Sequence, residues 1–259
     1  MSDDNTTAAP PSPDDVTAAI LVIGDEILSG RTKDRNIGHI ADVLTATGIN
    51  VRECRVVPDV EADIVAAVTA LRSRYTYLFT TGGIGPTHDD ITADAIAEAF
   101  AVGIDVDERA LALMRPHYER RGLELTPSRL RMARLPAGCE IIANRISAAP
   151  GFMIGNVIVM AGVPQVMQVM LDEVLPRLRT GRPMLSQSVR VRVPEGEIAD
   201  LFTAHQQAFP DVAMGSYPSF TATGMRCELV LRSIDAERLA IAVGSLRGKL
   251  EALGFLGSD

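Results

Sequence analysis

Three glycines within four positions, Gly82, Gly83 and Gly85, separate an apolar stretch from a helical pattern and constrain the fold more than any other feature. Residues 75–79 are rich in aromatic and aliphatic side chains, which favours a strand, and residues 91–100 have helical periodicity. Glycine lets backbone N–H groups approach an anion closely, and the first turn of a helix presents unpaired N–H groups. The stretch therefore predicts a phosphate-binding turn between a strand and a helix.

Two acidic residues, Asp89 and Asp90, follow these glycines at the position where a phosphate would approach. Carboxylates repel a phosphate unless a hard cation such as Mg²⁺ lies between them, so the sequence favours a metal-assisted phosphate site. The alternative is structural, because Thr87 and Asp90 have the spacing of a capping box and either aspartate could cap the following helix. The motif has no P-loop lysine, and His88 stands where the dinucleotide fingerprint requires glycine.

The composition of the 259 residues, 47% hydrophobic and 22% charged, is typical of a globular chain with one large domain or two modest ones. The formal net charge of -8 argues against nucleic acid as a partner, since phosphate backbones attract clustered Lys and Arg. No apolar run is long enough to span a membrane. Residues 1–17 resemble neither a signal nor a transit peptide, and we expect them to form a disordered tail.

Cysteine and histidine usage limits the chemistry further. The three cysteines, Cys54, Cys139 and Cys227, form no C-x-x-C pair, so the sequence indicates no zinc site. Such cysteine usage is typical of a protein in a reducing cytoplasm. We expect all three thiols to be buried. The histidines have no metal-ligand spacing, so isolated ones such as His205 are expected at the surface or as helix caps. No nucleophile motif for acyl transfer is present in the sequence.

Strands and helices alternate up to residue 101, which predicts a parallel sheet with helices on both faces. Such sheets bind ligands at the carboxyl ends of their strands, so Asp25, Asp59 and Asp90 are expected to share one rim. Asp59 also qualifies as the N-cap of the helix that follows it. The sequence thus predicts that acids distant along the chain meet at one edge of the sheet.

The region after residue 101 adds an arginine cluster and a second glycine turn. Most of the arginines are expected on a solvated helical face, with one or two reaching a substrate phosphate. The cluster comprises Arg109, Arg115, Arg120, Arg121, Arg129, Arg131 and Arg134. A hairpin over residues 151–161 leads into Gly162-Val163-Pro164, which is expected to face the same ligand. After a linker at 180–183, residues 184–259 predict a small α+β domain for packing or subunit contact.

Several motifs together resemble the MoaB/Mog family of molybdopterin-binding domains. Within that family they most resemble the CinA-like branch, which includes the N-terminal domain of CinA and a domain of eukaryotic FAD synthases. The motifs are Gly24-Asp25-Glu26-Ile27-Leu28-Ser29-Gly30, Asn36, Val57-Pro58-Asp59, the stretch from Thr81 to Thr92, Ala149-Pro150-Gly151 and Gly162-Val163-Pro164. The resemblance covers most of residues 18–180 and extends into the small domain.

The resemblance implies an α/β fold: a three-layer MoaB/Mog-like sandwich with a mostly parallel sheet, followed by a small α+β domain. The sequence resembles a stand-alone form of these two domains. The resemblance includes neither the C-terminal deamidase domain of CinA nor the FAD-forming domain of FAD synthases. Family members commonly have Leu-Pro-Gly-x-Pro at the second glycine turn, whereas this chain has Met160-Ala161-Gly162-Val163-Pro164.

The implied ligand carries a pyrophosphate or a pterin phosphate, as molybdopterin does, and is bound over the glycine loop with a divalent metal (Mg²⁺, Mn²⁺ or Co²⁺). Two aspartates are essential in the molybdopterin adenylyltransferases of this fold, and they match Asp59 and Asp90. We therefore expect Asp59 and Asp90 to be catalytic and to hold the metal together with Asp89. The expected ligand-binding residues are Asp25, Glu26, Asn36, Gly82, Gly83, Gly85, Pro86, Thr87, Thr92, Gly162 and Pro164.

CinA-like domains are associated with hydrolysis of nucleotide pyrophosphates such as ADP-ribose or FAD. The resemblance thus favours a metal-dependent nucleotide pyrophosphatase in the cytoplasm, forming a homo-oligomer (dimer or trimer). Two alternatives stay open: a molybdopterin adenylyltransferase of molybdenum cofactor biosynthesis, and a non-catalytic nucleotide-binding sensor.

Overall fold

The computed structural model describes residues 15–221 and 224–256, and the chain divides into two compact units between Gly181 and Arg182. The elements of the first unit are β1 (Val16–Ile23), α1 (Asp25–Leu28), α2 (Asn36–Ala46), β2 (Ile49–Val57), α3 (Glu61–Arg74), β3 (Tyr77–Thr81), α4 (Thr92–Ala99), β4 (Ile104–Val106), α5 (Glu108–Glu119), α6 (Pro127–Leu130), β5 (Arg134–Pro136), β6 (Glu140–Ile142), β7 (Gly151–Ile154), β8 (Val157–Met160) and α7 (Pro164–Val174). Short 3-10 turns follow α6 and α7.

Within the described residues, the first unit is built on a six-stranded sheet with the order β2-β1-β3-β8-β7-β6. Strands β2, β1, β3 and β8 are parallel. At one end β7 pairs antiparallel with β8, and β6 pairs antiparallel with β7, so the predicted mostly parallel sheet is confirmed. Val22 lies opposite Val56 and Thr81, and Thr81 lies opposite Met160. The loops after these four strands therefore leave the sheet at the same edge, where ligands bind in folds of this type.

Helices cover both faces of this sheet. Leu21 and Ile23 of β1 belong to a core with α3, α4 and α5, whereas Ile20 and Val22 belong to a second core with α2 and α7. A strand buried on both faces needs a continuous apolar sequence, which β1 has. The predicted three-layer sandwich is confirmed.

Two details of the first unit differ from the predictions. Val16 and Thr17, assigned to the tail by composition, form the start of β1, because Val16 is buried and pairs with Ile49 of β2. Residues 1–14, the rest of the predicted tail, lie outside the described residues. Cys54 is exposed rather than buried, because β2 is an edge strand that its helices cover less completely, whereas Cys139 is buried as expected.

The second unit is a small α+β domain, as predicted. Its elements are β9 (Leu185–Val191), α8 (Glu195–Ala208), β10 (Ala213–Thr221), β11 (Gly224–Ser233) and α9 (Ala236–Ala252). The antiparallel sheet has the order β10-β11-β9, and Val189, Leu229 and Leu246 contribute to its one core with the helices. Cys227 is buried there, as expected. No helix in the described ranges has the length and apolar character that crossing a membrane requires.

His205 is expected at the surface or as a helix cap, but it is fully buried and lies inside α8, in its last turn. Its Nε2 lies 3.0 Å from the carbonyl oxygen of Ala242 in α9, and its ring packs against Phe209 with 4.8 Å between centroids. A partner for the ring nitrogen offsets the cost of burying it.

Candidate functional site

The glycine turn after β3 packs too tightly for side chains. Gly82 and Gly83 have φ values of 105° and 66°, which favour glycine. A Cβ at Gly82 would clash with the carbonyl oxygen of Ile23, and a Cβ at Gly83 would clash with the hydroxyl of Thr92. That hydroxyl donates to the carbonyl of Gly82 at 3.0 Å, and the Thr92 amide donates to the carbonyl of Gly83 at 3.0 Å. Thr92 is fully buried, and its two hydrogen bonds hold the glycine turn in place.

Asp90 organises the outer part of the loop. Its Oδ2 accepts hydrogen bonds from the backbone N–H and the hydroxyl of Thr87, at 2.8 and 2.5 Å. A Cβ at Gly85 would come within 2.6 Å of the same oxygen, so a larger residue here would displace the Asp90 carboxylate. Helix α4 begins after Ile91, its N-cap, which makes no side-chain capping bond. The capping alternative for Asp89 and Asp90 is therefore wrong, because both precede the cap.

A second group of acids surrounds the loop after β2. Oδ2 of Asp59 accepts a hydrogen bond from the N–H of Asp25 at 3.0 Å, and Asp59 lines an open cavity of about 680 Å³ together with Asp25, Glu26 and Asp89. The pKa of Asp59 is raised, mainly by burial and further by the charges of these three acids, although the bond from Asp25 acts in the opposite direction. Asp59 does not cap α3, whose N-cap is Val60, because its carboxylate is turned towards Asp25.

The predicted rim is divided between two cavities. Asp90 lines a cleft of about 510 Å³, whereas Asp59 and Asp89 line the open cavity of about 680 Å³, here called the acidic cavity. Glu26 lines both. Across residues 15–221 and 224–256, no three His, Cys, Asp or Glu side chains are grouped so that they alone could hold a metal ion. A cation here would need further ligand atoms from a bound molecule, which is usual for Mg²⁺ in phosphate sites.

The cleft lies between the two glycine turns and is here called the ligand cleft. A Cβ at Gly162 would lie 3.3 Å from the Cα of Gly82, so the two turns are in direct contact. Pro164 also lines the cleft and begins α7. The apolar lining includes Ile84, Met132, Ala161, Val163, Val166 and Met170. A volume of about 510 Å³ lies in the range of small-molecule sites, and the apolar lining suits a flat heterocycle.

One wall of the ligand cleft contains Asn144 and Ser147, which the motifs did not predict, beside Ala149 of the Ala149-Pro150-Gly151 motif. Asn144, which is buried, donates to the hydroxyl of Ser147 at 2.6 Å and to the carbonyl of Ala149 at 3.0 Å. Ala148 has a φ of 63°, uncommon for a residue with a Cβ. Asn144, Ser147 and Ala149 line the ligand cleft, whereas Ala148 is not among its lining residues. An asparagine shortly after a strand, followed three residues later by serine, is the available signal for such a side-chain-supported turn.

Two arginines of the predicted cluster contact the glycine loop or the helix after it. Nη2 of Arg131 donates to the backbone carbonyl of Asp90 at 3.3 Å. Arg134 forms a two-bond ion pair with Asp94 of α4, at 2.7 and 3.1 Å. The two arginines line a small cavity of about 20 Å³ beside the loop, together with Asp90 and Asp94. Arg109, in contrast, pairs with its neighbour Asp107 at 2.7 Å.

The remaining predicted residues lie at the borders of the site. Pro86, Thr87 and Asp89 are exposed at the tip of the glycine loop. Asn36 is buried at the start of α2, and its Nδ2 donates to the carbonyl of Gly162 at 2.8 Å. The structure thus brings both glycine turns, Asn36 and the acids to one edge of the sheet.

Known proteins match the chain in both units. Residues 19–180 match the family described as a probable molybdopterin binding domain, and residues 183–257 match the middle domain of FAD synthase. A protein from Caldivirga maquilingensis is 40% identical over 180 residues, which cover 68% of this chain and 70% of that protein. A CinA-like protein from Geobacter sp. strain M21 is 36% identical over 247 residues, covering 92% of this chain and 59% of that protein. The chain thus spans less than two thirds of this CinA-like relative.

A solved structure matches the first unit. The crystal structure of the protein CinA with unknown function from Thermoplasma acidophilum is 34% identical, with a TM-score of 0.58, and the match covers 63% of this chain and 98% of that chain. The resemblance carried by the glycine and aspartate motifs is confirmed. This chain is a CinA-like member of the MoaB/Mog family of molybdopterin-binding domains.

Proposed function

We propose that this protein is a metal-dependent nucleotide pyrophosphatase that acts on a compound such as ADP-ribose or FAD. The observation that carries the proposal is the ligand cleft of about 510 Å³, which joins a glycine turn to an apolar wall and borders the acidic cavity through Glu26. A base would lie against Met132, Val163 and Met170, and the phosphates would lie over the glycine turn.

The glycine turn is suited to hold the phosphates. The backbone at Gly83, Ile84 and Gly85 lines the ligand cleft, and α4 follows directly after the loop. Backbone amides beside glycine approach phosphate oxygens without hindrance from a Cβ. Arg131, bonded to the Asp90 carbonyl, adds a positive charge next to the loop.

The acidic residues fit a divalent cation. The raised pKa of Asp59 means that burial and the neighbouring acids disfavour its ionised form, which a cation would reverse. Because no three carboxylates of the described residues are grouped around one position, Asp90 with either Asp59 or Asp89 would hold the cation, and phosphate oxygens of the ligand and water would complete its coordination. When bound, such a cation neutralises the charge that develops on the phosphate oxygens.

The protein's own residues would position the reactants and accept a proton. The Asp25 amide orients Oδ2 of Asp59, so this carboxylate would be held in place to accept a proton from an attacking water. The water oxygen would form a bond to one phosphorus while the bridging P–O bond breaks. The water proton would pass to Asp59, and the other phosphate would leave with the bridging oxygen.

Incubation of the purified protein with ADP-ribose, FAD, or ATP plus molybdopterin, each with Mg²⁺, Mn²⁺ or Co²⁺, tests the proposal. We expect metal-dependent conversion of ADP-ribose to AMP and ribose 5-phosphate, or of FAD to AMP and FMN. Release of pyrophosphate from ATP only when molybdopterin is present would instead identify an adenylyltransferase. Nucleotide binding without turnover would identify the protein as a non-catalytic sensor.

A further inference from the structure

A small cavity of about 60 Å³ adjoins the ligand cleft, where the ends of β1, β3 and β8 meet. Thr81 at the end of β3 and Asn36 at the start of α2 line it, and Gly162 lines both this cavity and the ligand cleft. We call it the lower cavity. It is thus placed to act on the geometry of the two glycine turns.

Two residues of this lining each have a buried side-chain oxygen without a hydrogen-bond partner among the residues that the structure describes, Oδ1 of Asn36 and Oγ1 of Thr81. Asn36 is 4% exposed and Thr81 is 1% exposed. Native structures leave very few such atoms unsatisfied, because burial removes the hydrogen bonds that water would otherwise make. Because both residues line the same cavity, one occupant could satisfy both atoms.

The lining indicates a small neutral occupant. Two cationic residues, Lys33 and Arg35, and two anionic residues, Glu26 and Asp34, line the lower cavity, so their charges balance. The unsatisfied oxygen of Asn36 accepts hydrogen bonds only. A volume of about 60 Å³ exceeds the roughly 10–15 Å³ that one water requires and is far below the roughly 300 Å³ of a small-molecule pocket.

We propose that the lower cavity binds internal water, which donates to Oδ1 of Asn36 and shares a hydrogen bond with the hydroxyl of Thr81. This water makes Asn36 a positioning residue for the ligand cleft. Nδ2 of Asn36 holds the carbonyl of Gly162 at 2.8 Å, and Gly162 packs against Gly82. The water therefore ties the end of β3, through Asn36, to the second glycine turn.

Thr81→Val tests the water site, with Thr80→Val as its matched control. Thr80 is the neighbouring strand residue, fully buried, and its hydroxyl also lacks a partner among the described residues, but it does not line the lower cavity. Valine has the shape of threonine without the hydroxyl. We expect Thr80→Val to raise Tm by about 2–4 °C, because it removes an unsatisfied group, and Thr81→Val to lower Tm by about the same amount, because water loses a partner.

An equal rise of Tm in both variants would show that the Thr81 hydroxyl has no partner and would overturn the proposal. A crystal structure of the wild type is expected to show water within hydrogen-bond distance of Asn36 Oδ1 and Thr81 Oγ1. Well-ordered density for both side chains with nothing between them would also overturn it.

The effect on the ligand rests on the proposed function and is measured separately. Calorimetry with ADP-ribose and Mg²⁺ is expected to show about tenfold weaker binding for Thr81→Val and unchanged binding for Thr80→Val. Equal affinities in both variants would remove the positioning role of Asn36. If the wild type binds no ADP-ribose, the proposed function fails, whereas the Tm difference still decides the water site.

Discussion

Thr87 donates both its hydroxyl and its backbone N–H to the same oxygen of Asp90, at 2.5 and 2.8 Å. The carboxylate is therefore held by its own loop before any ligand arrives. A group that is fixed in advance loses little conformational freedom on binding, so its contribution to affinity or rate is larger than that of a mobile side chain.

Asp90→Asn separates the charge of this residue from its structural role. The amide oxygen of asparagine can still accept both bonds from Thr87, so we expect Tm to change by only about 1 °C. Turnover of ADP-ribose is expected to fall about a hundredfold or more, because the negative charge is lost. Asp90→Ala, which loses both bonds, is expected to lower Tm as well. Wild-type turnover in Asp90→Asn would remove Asp90 from the proposed metal site.

Mg²⁺ is expected to raise Tm at neutral pH and to lose this effect as the pH falls. Because the pKa of Asp59 is raised in the folded state, ionisation of Asp59 opposes folding as the pH rises through that pKa. A cation bound to the carboxylate offsets this penalty, whereas protonated Asp59 has no charge to offer it. Thermal unfolding with and without Mg²⁺ from pH 4 to 8 measures the effect. In Asp59→Asn, a Tm gain like that of the wild type would contradict the assignment.

Acid is expected to destabilise the second unit through His205. The pKa of this histidine is lowered, mainly by burial and also by Lys249, whose Nζ lies 3.2 Å from Nδ1, although the bond to Ala242 acts in the opposite direction. Stability should be constant above the ordinary value of 6.5 and fall below it, because the unfolded chain takes up the proton first. His205→Gln should flatten the dependence of Tm on pH between 5 and 7. His39→Gln is the control, and an equal flattening there would refute the assignment.

Gly83→Ala and Gly122→Ala form a matched pair for the glycine turn. Both residues have positive φ, 66° and 64°, but only at Gly83 would a Cβ meet another atom within 4 Å, the Thr92 hydroxyl. Gly122→Ala is expected to cost about 1–2 kcal/mol from backbone strain alone, and Gly83→Ala about 2–5 kcal/mol because overpacking is added. Urea unfolding measures both. Equal losses would mean that the turn relaxes around the methyl group.

Truncation after Pro183 is expected to leave a folded first unit that binds ADP-ribose as the full chain does. The two cores of this unit use residues from Val16 to Leu178, whereas the core of the second unit begins at Val189. Cooperative thermal unfolding and calorimetry of the fragment test this. A folded fragment without affinity would show that the second unit, or an oligomer that it builds, completes the site.

The architecture was predictable because its signals are local. The continuous apolar run of β1 indicates a strand buried on both faces, and the positive φ angles of Gly82 and Gly83 follow from the residue type that the turn requires. The predicted meeting of Asp59 with Asp25 is also observed, since parallel strands end at one edge.

The division of the acids between two cavities could not be predicted in the same way. It depends on where loop side chains turn, and that is decided by bonds such as the one from Asp25 to Asp59, whose partners are 34 residues apart. The burial of His205 has the same origin, because its partner Ala242 lies 37 residues further along the chain. The periodicity of apolar and polar residues in a sequence does not indicate contacts between residues so far apart along the chain.

The direct contact between Gly82 and Gly162 limits which residues of the ligand cleft can be substituted to change its ligand. Gly82 has no room for a side chain, and a Cβ at Gly162 would lie 3.3 Å from the Cα of Gly82, so changing the floor of the cleft for a new ligand would strain this contact. Met132 and Val163 line the wall with partly buried or exposed apolar side chains, and changes there leave that contact in place, whereas Met170 is buried in a core and its sulfur accepts a hydrogen bond from the amide of Ala161 beside the second turn. A library that varies positions 132 and 163 and keeps both glycines would therefore explore ligand preference while preserving the turn that we propose for the phosphates.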